Sequence, residues 1–517
     1  MNHRARITTS LLSAGFLFLF ACGGGQSSSS RTELTVEKQN SDARDGAAEG
    51  GGASRSGSRA DGGRAGVGSE RGSSVNARVA MGVQTSSPIS DDAQVVIDDG
   101  NGGAYLGHLV QRGDQNVPNT RPGDRRLVME GGEGAYLSHF DASYQRVARV
   151  ILEDLHSVDA IARHPATGEL FIAGQEHFFP RSGKRSKLRL LHYRADGSKK
   201  SARLDKQLLA RLPRRALGHR IEDLLVDAAG DLYLAMTVFR KRQKKERGGT
   251  GPVAEMYLCK MSTEGRIRWF AQLRTSDNWV GGEDAGHSQI AALAMSPGGQ
   301  LVAAGSTGDH MDKNNQNRGG LDIFVVGLAA DSGAPLWTQT FGTPGRDVAH
   351  DLTIAGDGTL IVVGSTTGQL FAAPRGADDA FILALDPQGA HRWSEQIGAD
   401  RDDRFYTVTV TGTGAIIAVG ETTGKLALER PATDTDSSGV DVLVAGYSPQ
   451  GVRSWMLQLG TAVDDYPAGI AAASAGGAHL LFDTKGSFQG NPKDPTGAAA
   501  ATPETPSKDL VLLRVRD

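Results

Sequence analysis

From Asn76 to the C-terminus the apolar residues fall in short runs, LIVVGST, DAFILAL and IIAVGET among them, set apart by Gly, Pro, Asn and Asp. Such runs read as strands, and none carries the spacing of three to four residues that marks one face of a helix. Longer segments repeat. WTQTFGTPGRDVAHDLTIAGDGTLIVVGST, WSEQIGADRDDRFYTVTVTGTGAIIAVGET and WMLQLGTAVDDYPAGIAAASAGGAHLLFDT begin at Trp337, Trp393 and Trp455, 56 and 62 residues apart, and Trp269 stands 68 residues before Trp337. Each unit holds four runs, here a to d: the tryptophan run, a b–c hairpin with a glycine turn, and a closing run such as DAFILALDPQG or VDVLVAGYSPQG.

The b–c signature returns in weaker form as VDAIARHPATGELFIAGQ, IEDLLVDAAGDLYLAMT and AQVVIDDGNGGAYLGHL, and with IAALAMSPGGQLVAAGS the count is seven. The first unit begins near Asn76 with NARVAMGV and the last ends with DLVLLRVRD. Seven units of four short strands predict an all-β fold, a seven-bladed β-propeller of four-stranded antiparallel blades over residues 76–517. A linear stack would need capping units at its ends, and both end units here look complete. The pattern resembles the bacterial SBBP repeat, specifically from Trp269 onward and weakly before it, where other residues replace the tryptophan. That resemblance implies a seven-bladed propeller.

The chain's start changes the picture from fold to address. His3, Arg4 and Arg6 precede an uncharged, mostly apolar stretch from Leu11 to Ala21. It is shorter than the ~20 residues that span a bilayer and suits a secretory leader. Leu19-Phe20-Ala21-Cys22 resembles a bacterial lipobox, which implies that residues 1–21 are a lipoprotein signal peptide and that Cys22 is acylated. Residues 22–75 are rich in Gly and Ser with few large apolar side chains, too few to offset the entropy of ordering, and read as a disordered tether. Its r.m.s. reach is about 40 Å. The expectation is an exported, membrane-anchored lipoprotein; Gly23, where an aspartate would resemble an inner-membrane retention signal, favours the outer membrane, with the propeller facing the periplasm or the surface. Cys259 is then without a partner in the mature chain and reads as a small core residue.

Antiparallel order places the a–b and c–d connections on one face of a ring and the b–c and d–a turns on the other. The b–c and d–a turns are tight (PATG, DAAG, SPGG; DPQG, SPQG), while the c–d connections are long and dissimilar, FRKRQKKERGGTGPV and TGDHMDKNNQNRGG among them. Long variable loops gathered on one face point to binding there, with neutral insertion as the competing reading. Net charge is only −3, but Gln145 to Thr275 holds 27 Lys+Arg against 14 Asp+Glu, and the remainder 29 against 45. Within this basic sector Arg240, Lys241, Arg242, Lys244, Lys245 and Arg247 crowd one loop, and Arg211, Arg214, Arg215 and Arg220 another on the same face. Clustered cations suit an anionic polysaccharide or an acidic envelope protein, and a solvated charge run is the alternative. No aromatic residues interleave them as a nucleic-acid platform would need, so no nucleic-acid partner is expected.

Strong catalytic and metal patterns are missing from the sequence. There is no Gly-x-Ser-x-Gly elbow, HExxH or paired CxxC, and VGETTGKLA departs from a phosphate loop at Leu426. Asp434, Asp436 and Ser438 open like a calcium loop whose twelfth position is Ala445. Asp309, His310, Asp312 and Asn314 form a weak cation candidate. The recurrent Asp347, Asp403 and Asp465 before run b, and Asp322, Asp379, Asp441 and Asp509 before run d, read as acceptors for backbone N–H groups, and the tryptophans as packing between blades. ALDPQGAHRW and LAADSGAPLW resemble the tryptophan-docking repeats of quinoprotein dehydrogenases, which implies eight blades, a calcium site and often a vicinal disulfide; seven units and two cysteines depart from it. The reading is a monomeric, non-catalytic binding or scaffolding platform without cofactor. The alternative is an exported propeller enzyme, carbohydrate-active or quinone-dependent, with its site at the central channel.

Overall fold

Runs b and c pair first. In the fifth blade Asp347–Ile354 meets Leu360–Thr366 antiparallel, from Asp347↔Thr366 to Ile354↔Leu360, and Leu360–Thr366 then pairs with Asp379–Leu385. The fourth strand is the tryptophan run of the following unit, His391–Ile397. The sequence unit a–b–c–d is therefore out of phase with the blade, which is b–c–d–a, innermost to outermost. The tight d–a turn explains the shift, because a short antiparallel hairpin keeps its two strands in one sheet.

In this computed structural model, residues 4–6, 79–85, 90–111, 134–176, 188–201, 204–213, 216–242, 252–273, 287–311, 314, 317–426, 439–461, 463–486 and 508–516 are described. They form seven antiparallel sheets around a ring, each with four strands in this order, and blade 2 has a fifth strand on its inner edge. The innermost strands are Ser90–Asp98, Ala160–Arg163, Ala216–Val226, Ser288–Met295, Asp347–Ile354, Asp403–Val410 and Asp465–Ala472, for blades 1 to 7. Successive innermost strands touch, including the last with the first. The ring closes through backbone hydrogen bonds: Val79–Thr85 is the outermost strand of blade 7, running antiparallel to Asp509–Val515 from Val79↔Val515 to Thr85↔Leu510.

Second strands such as LVAAGST, LIVVGST, IIAVGET and AHLLFDT are buried along their whole length. Neighbouring sheets cover both of their faces, which is why these runs lack alternation. The core is accordingly a series of layers between blades; one joins Ile361, Ile382, Phe405 and Leu443 of blades 5 and 6. Cys259 is fully buried in such a layer, and burial pushes its thiol up to about 12.

The seams of blades 4 and 5 and of blades 5 and 6 are fastened at both ends, and the seam on either side of them at one. On the turn face, an outer-strand tryptophan packs on the d–a turn of the next blade: Trp269 Nε1 donates to the Ala330 carbonyl at 3.0 Å, and a Cβ at Gly389 or Gly451 would lie 2.7 Å from Trp337 or 2.3 Å from Trp393. On the loop face, the first residue of run b donates its backbone N–H to the preceding blade, Asp347 to Leu321, Asp403 to Asp378 and Asp465 to Val440, at 2.6 to 2.8 Å. Those contacts bring together the carboxyl groups of Asp322 and Asp347, Asp379 and Asp403, and Asp441 and Asp465. A Cβ at Gly460 would lie 2.1 Å from Asp441 Oδ1 and 3.2 Å from Asp465 Oδ2, so only glycine fits between them.

The seam between blades 7 and 1 differs. His479, fully buried, places Nε2 3.2 Å from Asp98 Oδ1 and Nδ1 2.8 Å from the Tyr144 hydroxyl, and Ser474 N–H donates to Asp98 Oδ1 at 2.9 Å. Tyr144 sits at φ 57°, the only non-glycine at positive φ among the described residues.

Two elements were not foreseen. A short helix, Asp205–Arg211, fills the connection from blade 2 to blade 3. Arg4–Arg6 forms a strand on the channel side of blade 2, pairing with Ala160–Ala162. Cys22 and the tether lie outside the described residues.

Candidate functional site at the loop-bearing face

The two faces differ as expected. The c–d connections run from Gln111 to Gly134, Gln175 to Leu188, Arg240 to Val253, Thr307 to Asp322, Thr366 to Asp379, Thr422 to Asp441 and Thr484 to Asp509, all on one face, while b–c links such as Ile354 to Leu360 and d–a links such as Leu385 to His391 are short.

Of the basic cluster, Arg211, Arg240, Lys241 and Arg242 are described; Arg214, Arg215, Lys244, Lys245 and Arg247 lie outside the described residues. The pairing Ala216↔Arg240 brings the two expected cationic segments to the same end of blade 3. Arg240 is not simply solvated: its Nε donates to Glu255 Oε1 at 2.6 Å. Arg211 ends the short helix, whose last turn helps enclose a cavity of about 410 Å³ with Leu212, Pro213, Gly218 and His219. Arg220 requires a correction. It lies in the innermost strand of blade 3, not in a loop, and its Nε donates to both oxygens of Glu222 at 3.0 Å. This bifurcated, charge-assisted bond ties the guanidinium to Glu222 instead of the loop cluster.

Glu222 belongs to a set that sequence reasoning missed, ionisable groups on and beside the inner strands toward the loop face. Asp159 is buried, accepts from Ser157 Oγ at 2.7 Å and Gln175 Nε2 at 3.2 Å, and is pushed up to about 6 by burial. Glu421 accepts from Arg404 Nη1 at 2.7 Å and the Tyr406 hydroxyl at 2.6 Å, and Arg404 also binds Asp378 and Asp402. His350 stands edge-on to Tyr406 with ring centroids 5.0 Å apart; burial, with Arg404 and Arg346 behind it, pushes its imidazole down to about 3. Lys508 pairs with Asp92 at 2.9 Å. Glu222, Glu421 and Asp92 thus each face a cation. Arg404 meets Glu421 across a hairpin and Lys508 meets Asp92 across the seam of blades 7 and 1, so no contiguous motif announces these two pairs, whereas Arg220 and Glu222 stand two residues apart on one strand.

The weak cation candidate is occupied by local bonds. Asp309 N–H donates to Thr307 Oγ1 at 3.0 Å, Ser288 Oγ donates to Asp309 Oδ2 at 3.4 Å, and His310 Nδ1 accepts from Asn317 N–H at 2.8 Å. Asn314 is described, whereas Asp312 and the Asp434–Ser438 loop lie outside the described residues. Among the described residues no group of three His, Cys, Asp or Glu side chains is arranged to hold a metal ion.

The recurrent aspartates do accept backbone N–H groups: Thr343 to Asp347, Ala399 to Asp403 and Thr461 to Asp465, each at 2.6 Å, with Arg318 to Asp322 at 2.7 Å. Burial pushes Asp322 up to about 7 and Asp403 and Asp465 up to about 6, and in each the neighbouring aspartate adds to the rise.

These features define a seven-bladed β-propeller with its elaboration on one face. No protein-family model and no curated protein matches the chain. Among solved structures it is similar to a protein of unknown function from Dyadobacter fermentans, at 8% identity, TM-score 0.40, covering 85% of this chain and 99% of that one. It is also similar to YCF48 bound to D1 peptide (12%, TM-score 0.40, 85% and 98%) and to BamB from Moraxella catarrhalis (12%, TM-score 0.32, 78% and 87%). At such identities and scores the likeness carries no ligand or activity across.

Proposed function

We propose that the chain is an SBBP-type lipoprotein of the cell envelope, held to the membrane through Cys22, whose propeller binds partners on its loop-bearing face without catalysis. The observation that supports this most is the gathering of every long connection on one side of the ring. The carboxylates at the mouth add to it: Glu222 and Glu421 each engage an arginine, an arrangement that holds the inner strands rigid beneath the loops. In the basic sector, Lys241 and Arg242 follow Arg240 at its strand end, and Lys244, Lys245 and Arg247 come next in sequence. The partner class is an anionic polysaccharide or an acidic envelope protein; the protein works as a monomer at the outer membrane.

The test is retention of the full-length, detergent-solubilised protein on immobilised polygalacturonate against dextran, at low and high salt. The expected result is retention on the acidic polymer alone, lost at high salt and in a Lys241→Glu, Arg242→Glu, Lys244→Glu variant. Retention indifferent to salt and to charge reversal contradicts the basic-sector reading. Cys22→Ser should release the protein from the membrane fraction; unchanged membrane association contradicts the lipid anchor.

A further inference from the structure

The turn between the first two strands of blade 1 reads Asp98-Asp99-Gly100-Asn101-Gly102-Gly103 and holds the only Asn-Gly pair in the chain. Asparagine before glycine is the pair most prone to deamidate, because no Cβ on the following residue hinders attack by its nitrogen. The Gly102 nitrogen, on losing its proton, bonds to Asn101 Cγ and ammonia leaves. Water then opens the cyclic imide at either carbonyl and gives aspartate or isoaspartate. Asn101 is exposed, so solvent reaches it.

The attacking nitrogen is engaged across the closing seam. Gly102 N–H donates to Ser474 Oγ, in the matching turn of blade 7, at 2.8 Å, and that hydroxyl donates to Asp98 Oδ1 at 3.1 Å, beside His479. The peptide groups on either side are fixed as well: Asn101 N–H and Gly103 N–H both donate to Asp99 Oδ1, at 2.7 and 2.9 Å. Gly102 is buried at φ 88°, and a Cβ there would lie 2.9 Å from Ala475 Cβ. Imide formation turns the Asn101–Gly102 peptide out of this arrangement and breaks the bond to Ser474, so the closed seam opposes it. We propose that Asn101 is a self-modification site gated by ring closure, which deamidates when the first and last blades part. Isoaspartate adds a backbone carbon before Gly102 and a carboxylate beside Asp98 and Asp99. Gly102 then no longer meets Ser474, and the opening leaves a permanent mark. The site depends on neither the membrane anchor nor the basic sector.

For the test, full-length protein in detergent and a synthetic peptide of residues 97–105 are incubated side by side at mildly alkaline pH, and isoaspartate at position 101 is followed by peptide mapping. The folded protein is expected to react at least about tenfold more slowly than the peptide. Ser474→Ala, which removes the acceptor, should speed the reaction about fivefold. Gly398→Ala, which crowds Asp379 in the seam of blades 5 and 6, should leave the rate unchanged. Parent protein aged to carry isoaspartate should melt at a lower temperature than Asn101→Gln protein aged alongside it. Should Ser474→Ala misfold, hydrogen exchange of the parent decides: slow exchange at the Gly102 N–H upholds the gate, and free exchange overturns it. A parent that reacts as fast as the peptide, no acceleration in folded Ser474→Ala, equal acceleration in Gly398→Ala, or an unchanged melting temperature in the aged parent overturns the proposal.

Discussion

The seams between blades 4 and 7 and the seam that closes the ring solve the same problem with different chemistry. All three carry paired aspartates at the loop-face end, and the first two add a tryptophan on a turn glycine at the other end. The closing seam instead uses His479, Asp98, Tyr144 and Ser474, joined over sequence separations of 335 to 381 residues. Duplicated units carry their own half of a seam on each side, so the same devices recur along the junctions from blade 3 to blade 7. The closing junction meets two chain ends, and a buried network that is satisfied only in one register suits a place where mis-pairing would leave the ring open.

The largest expected effect of breaking this contrast is at the closing seam. His479→Ala leaves Asp98 and the Tyr144 hydroxyl without their shared partner and should cost about 3–4 kcal/mol in denaturant unfolding, while leaving internal seams intact. Gly398→Ala breaks an internal seam by crowding: its Cβ would lie 2.0 Å from Asp379 Oδ1, and the expected loss is about 2–3 kcal/mol. Partial recovery in the double variant with Asp379→Ala would place the clash at the carboxylate.

pH separates the two kinds of seam. Asp322, Asp403 and Asp465 are held above the ordinary carboxyl value by burial first and by their aspartate neighbours after it. The folded protein therefore keeps protons that the unfolded chain releases. The stabilisation this gives is complete below about pH 4 and is lost as pH rises through about 6 to 7. Asp465→Asn should remove on the order of 2 kcal/mol of this dependence, so that the variant gains on the parent between pH 5 and pH 8 in urea melts. A gain that is flat with pH would contradict the paired-carboxyl account. The smallest effect belongs to Arg240→Gln, which removes a half-exposed ion pair with Glu255 and should change stability by about 1 kcal/mol or less.

Which of these features could be read from sequence follows from their range. The four-run units, the count of seven, the tryptophan docking and the capping role of the recurrent aspartates rest on patterns that repeat at a fixed offset, and the structure has all of them. The phase of unit and blade did not show, because a tryptophan run flanked by turns is equally consistent with opening one sheet or ending another. His479, Tyr144 and Asp98 belong to no repeat, and their partnership exists only after the ring closes. In sequence Arg220 falls close after Arg211, Arg214 and Arg215 and reads as part of their loop; the strand that begins at Ala216 pairs it with Glu222 instead. At the channel mouth, Lys508 and Asp92 stand 416 residues apart in sequence and meet only once the ring is closed.

Circular closure through Val79–Thr85 on Asp509–Val515 is tested most directly by a cross-strand disulfide. In full-length protein with Cys22 replaced by serine, cysteines at Val83 and Leu512 face each other in register, and the buried Cys259 thiol stays out of the reaction. Oxidation should give an intramolecular bond in the monomer and a raised melting temperature. Cross-linking between molecules, or no bond under conditions where both thiols can be alkylated, would contradict a ring closed by its first strand.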